Sequence, residues 1–160
     1  MRVIVAAIGR LKDGGERDLF ERYRQRFDQN GRGLSLGPLS LVELPESRLG
    51  DVTLRKACEA GRLLKAAASA DLLMTLDEHG RSLTSLAFAD HLRRVRDDGT
   101  STIAFLIGGP DGHGPDVGSA SALTLSLGSL TLPHGLARVV LAEQLYRATT
   151  ILSGHPYHRA

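Results

Sequence analysis

The chain has 160 residues, 42% hydrophobic and 24% charged, a composition that excludes a disordered or fibrous protein and suits one domain with a proper core. Its formal charge of +2 hides an uneven distribution, because between Ala120 and Ala160 the only acid is Glu143, against Arg138, Arg147, Arg159, His134, His155 and His158; such a basic stretch favours an anionic partner such as RNA. No apolar run approaches the roughly 20 residues of a membrane span, the start lacks the features of a secretory signal, and the lone Cys58 can form neither an internal disulfide nor a cysteine metal site, so a cytoplasmic location is expected.

Arg2 to Ile8 is a nearly continuous apolar run, as expected of a strand covered on both faces. From Glu16 to about Asp28, the residues Leu19, Phe20, Tyr23 and Phe27 recur at helical spacing, which predicts an amphipathic helix. Asn30-Gly31-Arg32-Gly33 and Gly37-Pro38 read as turns, and Leu39 to Leu44 as a second strand stopped by Pro45. Asp51 can cap a helix running to about Ser69 through Leu54, Ala57, Cys58, Leu63 and Leu64. Leu72 to Leu76 is a third strand, with Asp77-Glu78-His79-Gly80 expected as a polar loop at its carboxyl end. Ser82 to Ser85 offers caps for a helix that turns Leu86, Ala89, Leu92 and Val95 inward and stops at Gly99. Thr102 to Ile107 is the fourth and most apolar strand, Ser121 to Leu127 a short fifth, and Gly135 to Leu152 a final helix apolar beyond a single stripe. Burial against a second subunit would account for that breadth.

Alternating strands and helices predict an α/β fold with a mainly parallel sheet flanked by helices, whose ligands sit beyond the carboxyl ends of the strands. There Leu76-Asp77 and the glycine loop Gly108-Gly109-Pro110-Asp111-Gly112 would meet. The loop lacks the lysine of a nucleotide-phosphate loop and the spacing of a dinucleotide fingerprint. It can serve as a tight turn or as a place where a ligand comes close to the backbone. A second unusual loop, Leu127 to Leu132, is apolar where a solvent-facing loop would be polar, and it stops at Pro133-His134. Together the two loops could supply the backbone hydrogen bonds and apolar faces that an adenosyl group needs. His155 and His158 are separated by Pro156 and have no further ligands nearby, so a metal is not expected. Tyr157 beside Arg159 can stack on a base and contact a phosphate.

Gly108-Gly109-Pro110-Asp111-Gly112, the Leu-Thr-Leu-Pro-His run from Leu130 to His134, Arg138, the segment Glu143 to Ala148 and the ending His155-Pro156-Tyr157-His158-Arg159 closely resemble the bacterial large-subunit rRNA pseudouridine N3-methyltransferases, a family of SPOUT methyltransferases. The resemblance runs nearly the whole chain and is loose before about Leu72. It implies a C-terminal trefoil knot, a homodimer, and an S-adenosylmethionine site at Leu76, Gly108, Leu127, Gly128, Ser129, Leu130, Thr131 and Leu132. It also implies methylation of N3 of a pseudouridine in the large-subunit rRNA of the assembled ribosome.

N3 of a uracil-type ring carries a proton that must leave, so a base or an anion-stabilising cation is required. The residues available are His155 or His158 as proton acceptor, Arg138 and Arg147 for phosphate or anion stabilisation, and Tyr157, Arg159 and His134 toward RNA. Glu143 and Arg147 can instead pair with each other across one helical turn. Two other classes fit parts of the pattern, a non-catalytic RNA-binding module of the same fold and a nucleotide-binding oxidoreductase.

Overall fold

The computed structural model describes residues 1–159. Five strands, β1 (Arg2–Ile8), β2 (Leu39–Leu44), β3 (Leu72–Ser82), β4 (Thr102–Ile107) and β5 (Leu123–Ser126), form one sheet in the order β2-β1-β4-β3-β5. Every pairing is parallel. Five helices, α1 (Gly15–Gly31), α2 (Val52–Ala66), α3 (Ser85–Asp97), α4 (Pro115–Ala120) and α5 (His134–Leu152), cover it.

The strand period of two divides the core between the faces. Val3, Val5, Ala7, Ile103, Phe105 and Ile107 pack with Phe27 of α1, Phe88 and Leu92 of α3, and Leu141 and Leu145 of α5. Ala6, Ile8, Ala104 and Leu106 meet Ala60 and Leu63 of α2 and Val117 of α4 on the other side. The central β4 is buried at all six positions, which explains its unbroken apolar sequence. Phe105 and Phe88 meet edge-on with ring centroids 6.1 Å apart. Such a pair adds about 1 kcal/mol to its area burial.

Side chains start the helices after β2 and β3. Asp51 accepts a hydrogen bond from Leu54 N at 2.9 Å, and Thr84 accepts one from Ala87 N at 3.1 Å. Leu54 and Leu86 are nevertheless 58% and 54% exposed, so Leu86, expected to face inward, lies outside the stripe facing the sheet.

Other expectations also change. The expected turn at Asn30-Gly31 is the last turn of α1, followed by a 3-10 turn at Arg32–Leu34; Leu36 N returns to the Gly31 carbonyl at 2.9 Å and closes the end. Asp77 to Gly80 belongs to a strand, because β3 continues to Ser82. Its pairing with β5 breaks after Leu76 and resumes at Arg81↔Leu125 and Ser82↔Ser126. The fifth strand is shorter than expected and is preceded by α4, with Pro115 at its first turn. Breadth of apolar surface on α5 is accounted for within one chain, since α5 lies between α1 and α3 and buries residues from Gly135 to Thr150.

Candidate functional site

A cavity of about 730 Å³ opens at the carboxyl ends of β4 and β5, against the stretch of β3 from Leu76 to His79. Its walls come from Leu76 to His79, Ile107 to His113, Leu125, Leu127, Gly128 and Leu130 to His134, with Lys56 and Ala137 at the edge. The structure therefore brings together Leu76, Gly108 and most of the apolar loop from distant parts of the sequence. Ser129 is the one residue of that loop outside the lining.

The glycine loop is built by its own contacts. Gly112 N donates to Gly109 O at 3.0 Å, and Gly112 has φ +78°, a left-handed conformation that costs glycine little. A Cβ on Gly108 would lie 3.1 Å from the Gly112 carbonyl carbon and 3.3 Å from His113 Cε1, so a side chain there would press on the loop's own backbone and on the His113 ring. Arg55 Nε donates to Asp111 Oδ2 at 2.8 Å, tying the loop to α2. Asp111 is held below the usual carboxylate range by that guanidinium.

His113 was absent from the sequence-derived site, where its loop position had no distinguishing pattern. Its Nε2 lies 2.9 Å from Leu76 O and 3.2 Å from Gly108 N. Burial, its main influence, lowers its pKa below the ordinary imidazole value.

The apolar loop is anchored at both sides. Ser126 Oγ donates to Gly128 O at 2.8 Å, and Thr131 Oγ1 donates to Glu78 Oε2 of β3 at 2.6 Å. Leu127 packs against the core, whereas Leu130 is 79% exposed. The chain itself thus covers Leu127 in part, while Leu130 stays open at the cavity.

Arg138 does not face solvent or the cavity. Its side chain is 0% exposed; Nη2 donates to Ile8 O at 2.5 Å and to Gly9 O at 3.1 Å, and Nη1 lies 3.3 Å from Glu43 Oε1. The expected phosphate or anion role for Arg138 is corrected accordingly, because its guanidinium is committed to the end of β1 and to β2. Gly9, with φ +83°, makes the turn that presents its carbonyl to the buried guanidinium, and His134 lies close to it at the start of α5.

The tail lies along the other end of α5. Arg147 donates to Glu143 Oε1 through Nη2 at 2.6 Å and through Nε at 3.0 Å, so the pairing expected between these residues is present. Tyr157 Oη donates to the same carboxylate oxygen at 3.0 Å, and its ring lies 4.8 Å beneath the Arg147 guanidinium and 4.7 Å from the Tyr146 ring. Burial first, then the bond to Glu143, pushes the Tyr157 phenol above its ordinary value. His155 is exposed and its Nδ1 accepts from Tyr157 N at 3.1 Å; His158 Nδ1 faces Arg147 Nη1 at 3.4 Å, and Arg159 is exposed. His134 and Arg147 are about 20 Å apart along α5 by the helical rise. In one chain, neither His155 nor His158 is brought to the cavity. No group of three His, Cys, Asp or Glu among the described residues can hold a metal ion.

A family model described as "Predicted SPOUT methyltransferase" matches residues 1–158. The chain belongs to the SPOUT methyltransferases. It is an enzyme of that class, whose methyl donor is S-adenosylmethionine. A Brucella anthropi protein named ribosomal RNA large subunit methyltransferase H is 52% identical over 160 residues, covering 100% of both chains. A Bradyrhizobium sp. (strain ORS 278) protein of the same name is 49% identical, covering 100% of this chain and 99% of its own. Among solved structures, a "probable methylase family protein" from Haemophilus influenzae Rd KW20 superposes with a TM-score of 0.54 at 13% identity, covering 99% of this chain and 70% of its own. That likeness concerns the fold alone. Within the SPOUT fold of this chain, His113, Glu78, His79, Leu125, Lys56 and Ala137 line the cavity without having been named from the sequence as site residues, whereas Asp77 stands where the strand's end was expected to meet the glycine loop. Glu78 and His79 carried a weak signal, a polar run directly after a buried strand.

Proposed function

We propose that this SPOUT methyltransferase methylates N3 of a pseudouridine in large-subunit ribosomal RNA, acts on the assembled ribosome in the cytoplasm, and works as a homodimer of single-domain chains with a trefoil knot at the C-terminal end. The observation that carries this reading is the convergence of Leu76, Gly108 and the loop Leu127–Leu132 on one cavity. The relatives' name supports the RNA class, and the resemblance of the terminal His-Pro-Tyr-His-Arg supports the nucleotide.

The cavity suits the donor in size, since cofactor sites are typically about 300–1,000 Å³, and in chemistry. Leu76 O and the Gly108 N–H stand at its edge, while Leu125, Leu127 and Leu132 offer apolar walls. When bound, S-adenosylmethionine supplies an electrophilic methyl group on a sulfonium. Leu76, Gly108 and the loop residues Leu127, Gly128, Leu130, Thr131 and Leu132 hold and orient it, with Ser129 contributing as a backbone spacer. Restricting the approach of donor and acceptor supplies much of the acceleration.

The other half of the site must deliver the nucleotide and accept its N3 proton. Tyr157, Arg159, His134, His155, His158 and Arg147 are the groups of this chain fitted to those tasks. Since the tail is about 20 Å from the cavity along α5, a site that combines them takes the tail from a second chain. Leu130 and Leu136, 79% and 42% exposed, give that second chain an apolar place to rest.

Incubating the purified protein and labelled donor with ribosomes from a strain lacking the activity tests the reading. Label should enter large-subunit rRNA, and mass spectrometry should place the methyl group on one pseudouridine. No label above background, with protein and donor intact, would favour a non-catalytic RNA-binding module.

A further inference from the structure

The imidazole of His113 stands between two backbone groups with opposite needs. Leu76 O requires a donor and Gly108 N–H requires an acceptor, yet both face the same ring nitrogen, Nε2, at 2.9 and 3.2 Å. One nitrogen cannot be both. Protonated at Nε2, the ring donates to Leu76 and opposes the Gly108 N–H. Protonated at Nδ1, it accepts from Gly108 but turns a lone pair on Leu76 O, and its new N–H is buried without a partner among the described residues. In either tautomer a polar group near the cavity edge goes unpaired.

The edge of an adenine answers both needs, because an exocyclic amine and a ring nitrogen offer a donor and an acceptor on neighbouring positions. We propose that His113 sets the donor affinity of this site by competing with the purine edge for Leu76 O and Gly108 N–H, its side chain withdrawing as the nucleoside docks. The proposal rests on the assignment of this cavity to S-adenosylmethionine. His113 lies between Gly112 and Gly114 and is only partly buried, so the ring has a route outward. It is a positioning residue and takes no part in methyl transfer.

Calorimetry with S-adenosylmethionine on the full chain and on His113→Ala tests it. Removing the competitor should tighten binding by about three- to ten-fold, as expected when a binding-competent arrangement becomes fully populated. In the unsubstituted chain, the His113 ring resonances should move on titration toward those of a solvated imidazole. Unchanged or weaker binding by His113→Ala, or ring resonances that stay in place while the ligand binds, would overturn the proposal. Should the alanine variant not fold, the ring resonances decide alone. Absence of binding by both proteins overturns the donor assignment of the cavity itself.

Discussion

Arg138 shows how completely a side chain's surroundings decide its use. On the sequence it belongs with the cations of a basic C-terminal third; in the structure it is sealed against Ile8 O, Gly9 O and Glu43. Removing one member of a buried ion pair strands the other, so Arg138→Leu is expected to cost about 3 kcal/mol in urea unfolding. A loss well under 1 kcal/mol would mean that these buried contacts add little to the fold. For His113, the buried ring is held below its ordinary value near 6.5, so below about pH 6.5 the unfolded chain binds a proton that the folded chain resists. Stability should therefore decline as pH falls from there, and His113→Ala should show a shallower decline in urea midpoints. His91, also lowered by burial, keeps its own share of the slope in both proteins. At Gly108, a valine would force the Gly112 backbone and His113 ring aside; calorimetry should find donor binding abolished, and unchanged affinity would reduce the glycine to a turn.

Among the elements, strands with continuous apolar sequence were legible to the residue. Arg2–Ile8, Leu39–Leu44 and Thr102–Ile107 occur with the bounds that hydrophobicity assigns them. Two elements were not legible, for physical reasons. α4 buries only Val117, too little for a six-residue helix to show periodicity. The outer part of β3 is polar, and its pairing with β5 is made by backbone groups that carry no residue signature. The same division holds at the site. Of the cavity's lining, Leu76, Gly108 and most of the apolar loop could be named from motifs, whereas His113 could not, since only the fold shows which backbone atoms it meets. The tail tests element-scale independence. Deleting residues 157–160 should leave donor binding intact and impair methylation of ribosomes; full activity would remove the tail from the substrate side.

At the scale of the whole molecule, the cavity and the tail occupy opposite ends of one helix. That arrangement makes self-association a requirement for any site that uses both. Placing a charge at exposed Leu136 should leave the circular dichroism spectrum unchanged while shifting sedimentation of Leu136→Lys toward the monomer and lowering methylation. A variant that sediments like the parent would move the interface elsewhere.

The Arg138 contacts reach across 130 residues to Ile8 and 129 to Gly9, and this separation bears on the order of folding. β1 is an inner strand, bordered by β2 and β4, but the guanidinium that occupies the carbonyls at its end arrives only with the final helix. While the chain is being synthesised, the face destined for α5 waits for that helix until every other strand and helix of the fold has been made. Such long-range closure is slow and leaves apolar surface open in the meantime. A nascent chain that pauses before α5 would consequently be a substrate for chaperones, and completion of the core would wait for the last helix of the fold.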